Sequence, residues 1–270
     1  MPRPFLRWVG GKSYLEGMLR KCVPNLEPYA RYYEPFFGAG HLFFALEPCH
    51  AVIGDLNADL MQCLLHVRNR PDLVWRYLRL LQRRQTSREY YTLRDEFNES
   101  HDSARRAALF IYLNKTCFNG IWRVNRSGHF NVPYGAKERA GFPDLLRLES
   151  CSKALGKAKL RSYDFEKTVA DARAGDFVYF DPPYLPLSPT AYFRHYTSTR
   201  FGPEDHERVA SVCWQLASEG VDIMVSEGDS ALIRKLYREF YIRPVDVRRS
   251  VSCESVRVRA RELIISSFRP

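Results

Sequence analysis

The chain has no apolar run near the roughly 18 residues that a membrane-spanning helix needs. Its first residues, Met1-Pro2-Arg3-Pro4-Phe5, do not lead into the apolar stretch of a secretory signal. Internal repeats and low-complexity tracts are also missing. The cysteines, Cys22, Cys49, Cys63, Cys117, Cys151, Cys213 and Cys253, are odd in number, scattered, and form no C-x-x-C pair. That speaks against a disulfide framework or a zinc ribbon, and the thiols read as small buried hydrophobes in a reducing compartment. Two phosphate-binding patterns are incomplete. Gly38-Ala39-Gly40 lacks the third glycine of G-x-G-x-x-G, where Phe43 stands, and Gly10-Gly11-Lys12 lacks the spacing of a P-loop. Lysine is scarce, at 9 of the 41 basic residues; the other 32 are arginine.

What is present is enough for a sizeable core. The 270 residues are 45% hydrophobic and 14% aromatic, which suits one large domain or a core with an inserted lobe. Against 31 acidic residues the chain carries a formal net charge of +10. A guanidinium fork matches phosphates and guanine edges better than an ammonium does, so this bias suggests a nucleic-acid partner. A genome that favours arginine would give the same total, so distribution matters. Residues 57–144 hold 15 basic and 9 acidic residues, and within them residues 104–139 hold seven basic residues and one acid. Residues 243–261 hold six arginines against Asp246 and Glu254. A charge run alone reads as a solvated face; two runs beside aromatic and Asn/Gly residues point to an anionic partner.

The organisation is α/β. Tyr32–Glu34 reads as a strand entering the Gly-rich turn, followed by a helix from about His41 to Glu47 and a second strand, Ala51 to Asp55, that ends on an acid. A long helical pattern runs from about Ala58 to Leu113, and a turn-rich segment from Asn114 to about Gly141. Strand patterns return at Leu160–Tyr163, Phe177–Phe180, Asp222–Val225 and Val256–Phe268. An α/β pattern that begins, is interrupted and resumes predicts a core of residues 1–56 and 145–270 with an inserted lobe at 57–144.

Asp181-Pro182-Pro183-Tyr184 follows the apolar strand Phe177–Phe180, at the edge where open α/β sheets bind ligands. The prolines hold an extended turn and lack N–H groups, so Asp181 and the Pro182 carbonyl form an acceptor pair beside an aromatic face. An exocyclic amine stacked on Tyr184 would satisfy them. Gly38 and Gly40 let a ligand approach the backbone, and Asp55 sits where acids bind ribose hydroxyls or cap helices. Lys12 offers a cation to a ligand carboxylate, with Trp8 able to cover it.

Arg7-Trp8-Val9-Gly10-Gly11-Lys12, Glu34-Pro35-Phe36-Phe37-Gly38-Ala39-Gly40 and Asp181-Pro182-Pro183-Tyr184 stand in the order of the alpha class of amino-methyltransferases, and the chain resembles the DNA adenine methyltransferase family. Leu113-Asn114-Lys115, Phe118 to Asn125, Gly128 and Phe130 to Gly135 resemble its target-recognition hairpin, and Val247-Arg248-Arg249-Ser250 its last hairpin. The resemblance spans essentially the whole chain. It implies a Rossmann-like core with a mixed, mainly parallel seven-stranded sheet and an inserted, mainly helical recognition lobe carrying a β-hairpin. It also implies S-adenosylmethionine as methyl donor, leaving as S-adenosylhomocysteine, and no metal. The donor would lie over Gly38 and Gly40, with Lys12 and Trp8 at its methionine end, Asp55 at its ribose and the Ser162–Phe165 strand end, through Asp164 and Phe165, at its adenine. Asp181 would touch donor and target.

For DNA, the resemblance implies a flipped-out adenine stacked on Tyr184 and duplex DNA, in GATC, under the hairpin. Arg123 and Arg7 would read bases, Phe118 or Asn119 would wedge into the vacated stack, and Ile121 would add apolar contact. Asn125, Arg126, Tyr134, Arg248 and Arg249 complete the expected DNA face. Arg7, Phe118 and Trp122 depart from common family residues, which bears on geometry at those positions. Other readings share parts of this pattern: an N6-adenine methyltransferase acting on RNA, a cytosine N4 enzyme, and a DNA-binding homologue with a dead catalytic core. A monomer in a bacterial cytoplasm, nucleoid-associated or phage-encoded, is the expected setting.

Overall fold

The computed structural model describes residues 2–24, 27, 30–83, 85–136, 140–185, 201–250 and 257–270, the side chains of 248–250 and 257–260 excepted. Seven strands form one sheet: β1 (Tyr32–Glu34), β2 (Ala51–Gly54), β3 (Ala158–Arg161), β4 (Phe177–Phe180), β5 (Asp222–Gly228), β6 (Tyr241–Ser250) and β7 (Arg257–Ser266). Their order is β3-β2-β1-β4-β5-β7-β6. The first five strands in that order are parallel, and β7 lies antiparallel between β5 and β6. This is the mixed, mainly parallel Rossmann-like sheet the sequence leads one to expect.

Side chains alternate between its two faces, as the two-residue period of a strand requires. Tyr32, Ile53, Phe177, Tyr179, Met224 and Ile264 enter the core on one face, while Tyr33, Val52, Val178, Phe180, Val225 and Ile265 enter a separate core on the other. The second face is covered by α8 (Phe165–Val169), α9 (Pro203–Ser218) and α10 (Ala231–Leu236), whose buried residues share its core. The first is covered by α1 (Glu16–Cys22), α2 (His41–Leu46) and α7 (Leu145–Leu155).

The helical stretch expected from 58 to 113 resolves into four helices, α3 (Ala58–Asn69), α4 (Pro71–Leu81), α5 (Ser87–Glu99) and α6 (Ala104–Thr116). Each start has a local cause. Asn57, Thr86 and Ser103 accept hydrogen bonds from backbone N–H groups three residues on, and Pro71 opens α4. Helix α6 is buried on nearly every side, which its run of apolar residues from Ala107 to Leu113 allows. Beyond it, the Trp122 ring lies 4.0 Å from that of Phe110 and 4.3 Å from that of Phe130, with Phe97 edge-on at 5.5 Å. This aromatic stack roots the segment after α6. These residues belong to the same core as the first sheet face, so the apolar interior is continuous from the sheet into the four helices.

Two strands differ from expectation. β3 lies at 158–161, two residues before the expected 160–163. β6 begins at Tyr241, in a stretch where Arg243, Pro244 and Asp246 break the apolar alternation. It is an edge strand, where proline is tolerated and exposed charge discourages further pairing.

Candidate active site

Strand β4 delivers Asp181 to the carboxyl edge of the sheet. There, one carboxylate oxygen is engaged twice. Asp181 Oδ1 accepts from Ser226 Oγ at 2.7 Å and pairs with Lys12 Nζ at 2.6 Å. Lys12 is 4% exposed and also donates to the Gly10 carbonyl at 2.7 Å. Its ammonium stands 4.4 Å from the centre of the Tyr184 ring. The tight turn that brings it there has Gly10 in the left-handed region, φ 88°. Tyr184 donates its hydroxyl to Glu262 at 3.0 Å, and Tyr14 donates to the other Glu262 oxygen at 2.6 Å. Asp181, Pro182, Pro183 and Tyr184 thus cap a strand whose neighbours on both sides contribute polar groups. Burial pushes the Asp181 carboxyl up, and Lys12 and Ser226 pull it back down. Burial raises Glu34 well above the usual carboxylate range, though Tyr32 donates to it at 2.8 Å.

The Gly-rich turn lies beside this cluster. Gly38 and Gly40 both have positive φ, 49° and 67°. A Cβ at Gly38 would fall 2.7 Å from the Trp8 indole, and one at Gly40 would fall 2.3 Å from the Phe37 ring. Asp55 follows β2 and accepts from Gly38 N at 3.0 Å and Asn57 N at 2.9 Å. Burial raises its carboxyl, and those two N–H groups oppose the rise. Asp164 caps α8 by accepting from Glu166 N, and it pairs with Arg208 at 3.2 Å. Phe165 is buried and stacks on Phe36 at 5.3 Å, with Phe201 edge-on to Phe36 at 5.8 Å. Aromatic rings, a carboxylate, bare glycine backbone and an ammonium in this succession fit a zwitterionic nucleoside. His41 flanks the turn; burial and Lys12 lower it to about 4, and its buried Nδ1 has no hydrogen-bond partner among the described residues.

The expected DNA face is brought together in part. Arg7 is exposed, and its backbone exchanges hydrogen bonds with the Asn114 side chain at 2.8 and 2.6 Å. A Cβ at Gly120 would lie 2.9 Å from Arg7 Cβ, so Arg7 sits against the short 3-10 turn Phe118–Gly120. Phe118 is 44% exposed. Asn119 has φ 53°, a left-handed conformation that asparagine tolerates better than most residues. Ile121 packs partly against the core. Arg123 leans on Asn131, donating from Nε to Oδ1 at 2.8 Å. Asn125 accepts from Ser127 N and His129 N at 3.0 Å each, shaping the tip, and Arg126 is exposed. Tyr134 gives its hydroxyl to the Gln85 carbonyl at 2.7 Å. The segment folds back as a hairpin joined by isolated bridges, Cys117 with Tyr134 and Val124 with Phe130. Arg248 and Arg249 lie on β6, and their side chains are outside the described residues.

Ser226, Tyr179, Glu262, Tyr14 and His41 were not singled out by the sequence. The Ser226-Glu227 pair did carry a usable signal, since it ends the apolar run Ile223–Val225 at the same sheet edge as Asp181. Among the described residues, no group of three or more His, Cys, Asp or Glu is placed to hold a metal ion, and no helix is long and apolar enough to cross a membrane.

Residues 8–251 match the D12 class of N6 adenine-specific DNA methyltransferases. The chain is similar to the type II methyltransferase M1.LlaDCHI of Lactococcus lactis subsp. cremoris, at 39% identity over 98% of this chain and 95% of the relative. It is 36% identical to the type II methyltransferase M.MjaIII of Methanocaldococcus jannaschii, over 93% of each chain. It is 33% identical to the DNA adenine methylase of Escherichia coli (strain K12), over 99% of this chain and 96% of that one.

Proposed function

The chain belongs to the D12 class of N6 adenine-specific DNA methyltransferases and is an adenine-specific DNA methyltransferase; on that premise we propose that it methylates N6 of an adenine flipped out of duplex DNA, within GATC, using S-adenosylmethionine. When bound, this cofactor supplies a methyl group activated by a sulfonium and leaves as S-adenosylhomocysteine. The observation that carries the reading is Asp181 at the end of β4, held at Oδ1 by Ser226 and Lys12 beside the Pro182 carbonyl.

The N6 lone pair of adenine is delocalised into the ring. Accepting hydrogen bonds from both N–H groups, through Asp181 and the Pro182 carbonyl, localises that pair on nitrogen for in-line attack. As N6 takes up the methyl group that the bound cofactor would supply, Asp181 would receive one N6 proton, leaving a neutral methylated amine. Burial, which raises Asp181, makes it the better acceptor. Tyr184 offers a stacking face to the flipped base, offsetting part of the few kcal/mol that flipping costs.

Trp8, Gly38 and Gly40 would cradle the cofactor, Asp55 would take its ribose hydroxyls, and Asp164 and Phe165 its adenine. An ammonium has three donors. Lys12 uses one on Gly10 and one on Asp181, so the third is available to the cofactor's carboxylate.

Residues 57–144 would form the recognition lobe and residues 1–56 and 145–270 the catalytic core. Arg7 and Arg123 would read bases, with Phe118 or Asn119 wedged into the stack and Ile121 beside them. Asn125, Arg126, Tyr134, Arg248 and Arg249 would complete the DNA face, in a monomer acting in a bacterial cytoplasm. Transfer of labelled methyl groups to a GATC duplex, a scrambled duplex, single-stranded RNA and structured RNA tests this. Label in the GATC duplex alone is expected. Label only in RNA would overturn the substrate, and equal label in both duplexes would overturn the site.

A further inference from the structure

The Asp181 carboxylate is held asymmetrically. Ser226 and Lys12 both reach Oδ1, and among the described residues no hydrogen bond reaches Oδ2. Ser226 in turn lies 2.8 Å from the Tyr179 hydroxyl. A serine hydroxyl has one proton. Since Ser226 spends it on Asp181, it must accept the proton of Tyr179. The direction of the chain is thereby fixed, from Tyr179 to Ser226 to Asp181.

The strand period explains how three distant residues meet. Tyr179 is paired in register with Met224, and Ser226 lies two residues further along β5, on the same sheet face. Both are buried, at 2% and 0% exposure. A buried hydroxyl that accepts from one phenol and donates to one carboxylate has its orientation set by those two partners.

We propose that Ser226 is a positioning residue: held by Tyr179, it fixes the Asp181 carboxylate so that Oδ2 is presented to the amino group of the target adenine. This rests on the methyl-transfer reading above and adds to it a residue outside the D-P-P-Y segment. Lys12 alone is a poorer anchor. Its ammonium is shared with Gly10 and would be shared again with a cofactor carboxylate, whereas the Ser226 contact comes from the sheet itself.

The groups facing Asp181 come from several elements. Lys12 stands on the N-terminal turn, Tyr32 and Glu34 on β1, Tyr179 on β4, Glu227 on β5, Glu262 on β7 and Tyr184 on the loop itself. Of these, Lys12 lowers the carboxyl and Glu262 raises it, and the Ser226 hydrogen bond lowers it. Removing that bond therefore makes Asp181 a weaker acid.

The test is single-turnover methyl transfer to duplex DNA by Ser226→Ala, Tyr179→Phe and the double variant, with KM for both substrates, melting temperature and the pH profile. Ser226→Ala is expected to slow transfer by about 10- to 100-fold, the worth of a hydrogen bond to a charged group, with both KM values unchanged. Tyr179→Phe should slow it less, by about three- to tenfold, and the double variant should be no slower than Ser226→Ala, because the two hydroxyls act in series. The acid limb of the rate profile should move to higher pH in Ser226→Ala. A Ser226→Ala rate within about twofold of wild type, effects that multiply in the double variant, or a loss confined to KM would each overturn the proposal. If Ser226→Ala does not fold, Tyr179→Phe decides: a slowed rate and shifted limb at unchanged melting temperature support it, and an unchanged rate overturns it. A wild-type protein that methylates only RNA would overturn the substrate reading and leave the Ser226 comparison to be made on RNA, by the same criteria.

Discussion

The carboxyl edge of the sheet and the hairpin after α6 hold their charges in opposite ways. At the edge, Glu34, Asp55, Asp181, Glu227 and Glu262 are each met by a protein donor: Tyr32, the Gly38 and Asn57 amides, Ser226 with Lys12, His206, and Tyr14 with Tyr184. On the hairpin, Arg126 stands in solvent, Arg123 leans on one asparagine, and the backbone pairs through isolated bridges. The difference follows from what each partner demands. A carboxylate that must sit opposite a developing charge is worth most when its position is set beforehand, away from water. An arginine that must find a base edge or a phosphate gains from remaining solvated until DNA arrives, and its long-range attraction works from the surface. On the proposed reading, the exposed arginines of the hairpin would meet DNA beside a site that uses negative groups.

Asp181→Ala should break the first half of that contrast outright. It removes the acceptor, so methyl transfer should fall by about 10^3-fold or more, while DNA affinity and melting temperature stay near wild type. Retained transfer would sink the role given to Asp181. The next effect comes from pH. Burial raises the Asp181 carboxyl above its ordinary value, so the carboxylate is lost as pH falls through that raised pKa. Transfer rate should therefore drop about tenfold per pH unit on an acid limb lying above the ordinary carboxylate range. DNA binding, carried by guanidiniums that do not titrate, should stay flat over the same interval. A shared acid limb would erase the distinction.

The hairpin is probed by smaller changes. Arg123→Ala should cost about 1–3 kcal/mol at one base position and relax specificity there. An equal loss on every sequence would make it a phosphate contact. Asn98 exchanges two hydrogen bonds with the Phe130 backbone, at 2.8 and 3.1 Å, and so fixes the returning arm of the hairpin. Asn98→Ala should cost roughly 1–2 kcal/mol of stability and raise KM for DNA, with cofactor affinity unchanged. The mildest is Arg126→Ala, which should weaken binding uniformly and reduce the slope of log affinity against log salt by about one.

The parts of this arrangement that the sequence makes legible are local. Phe177–Phe180 and the Asp181 that follows are contiguous, and the turn from Phe37 to His41 sits between two apolar strands, so periodicity alone places both at one edge. β6 was less legible because an edge strand can afford charge and a proline in mid-run. Ser226 and Glu262 were harder to read for another reason. The apolar run before Ser226 places it at the sheet edge but does not name its partner; each of the two matters because a strand far away in sequence lies beside β4 or opposite Tyr184. Lys12 was legible as a cation but not in its partner, since only the folded chain brings its ammonium to Asp181 rather than leaving it open to a ligand alone.

The unbroken apolar interior between the sheet and helices α3 to α6 has a practical meaning for how such a protein can be altered. Segments 57–144 cannot be lifted out as a cassette, because Leu60, Leu64 and Phe110 leave the same packing that Tyr32 and Phe177 complete. Grafting a whole lobe from a relative would demand repacking on both sides of the cut. The stretch from Phe118 to Tyr134 is different: apart from the buried Gly120, Trp122, Phe130 and Val132, it touches solvent and is secured by a few bonds. If this hairpin reads DNA as proposed, new sequence preference would be acquired there by exchanging exposed side chains on a fixed stem, leaving the chemistry to travel unchanged from one target to the next.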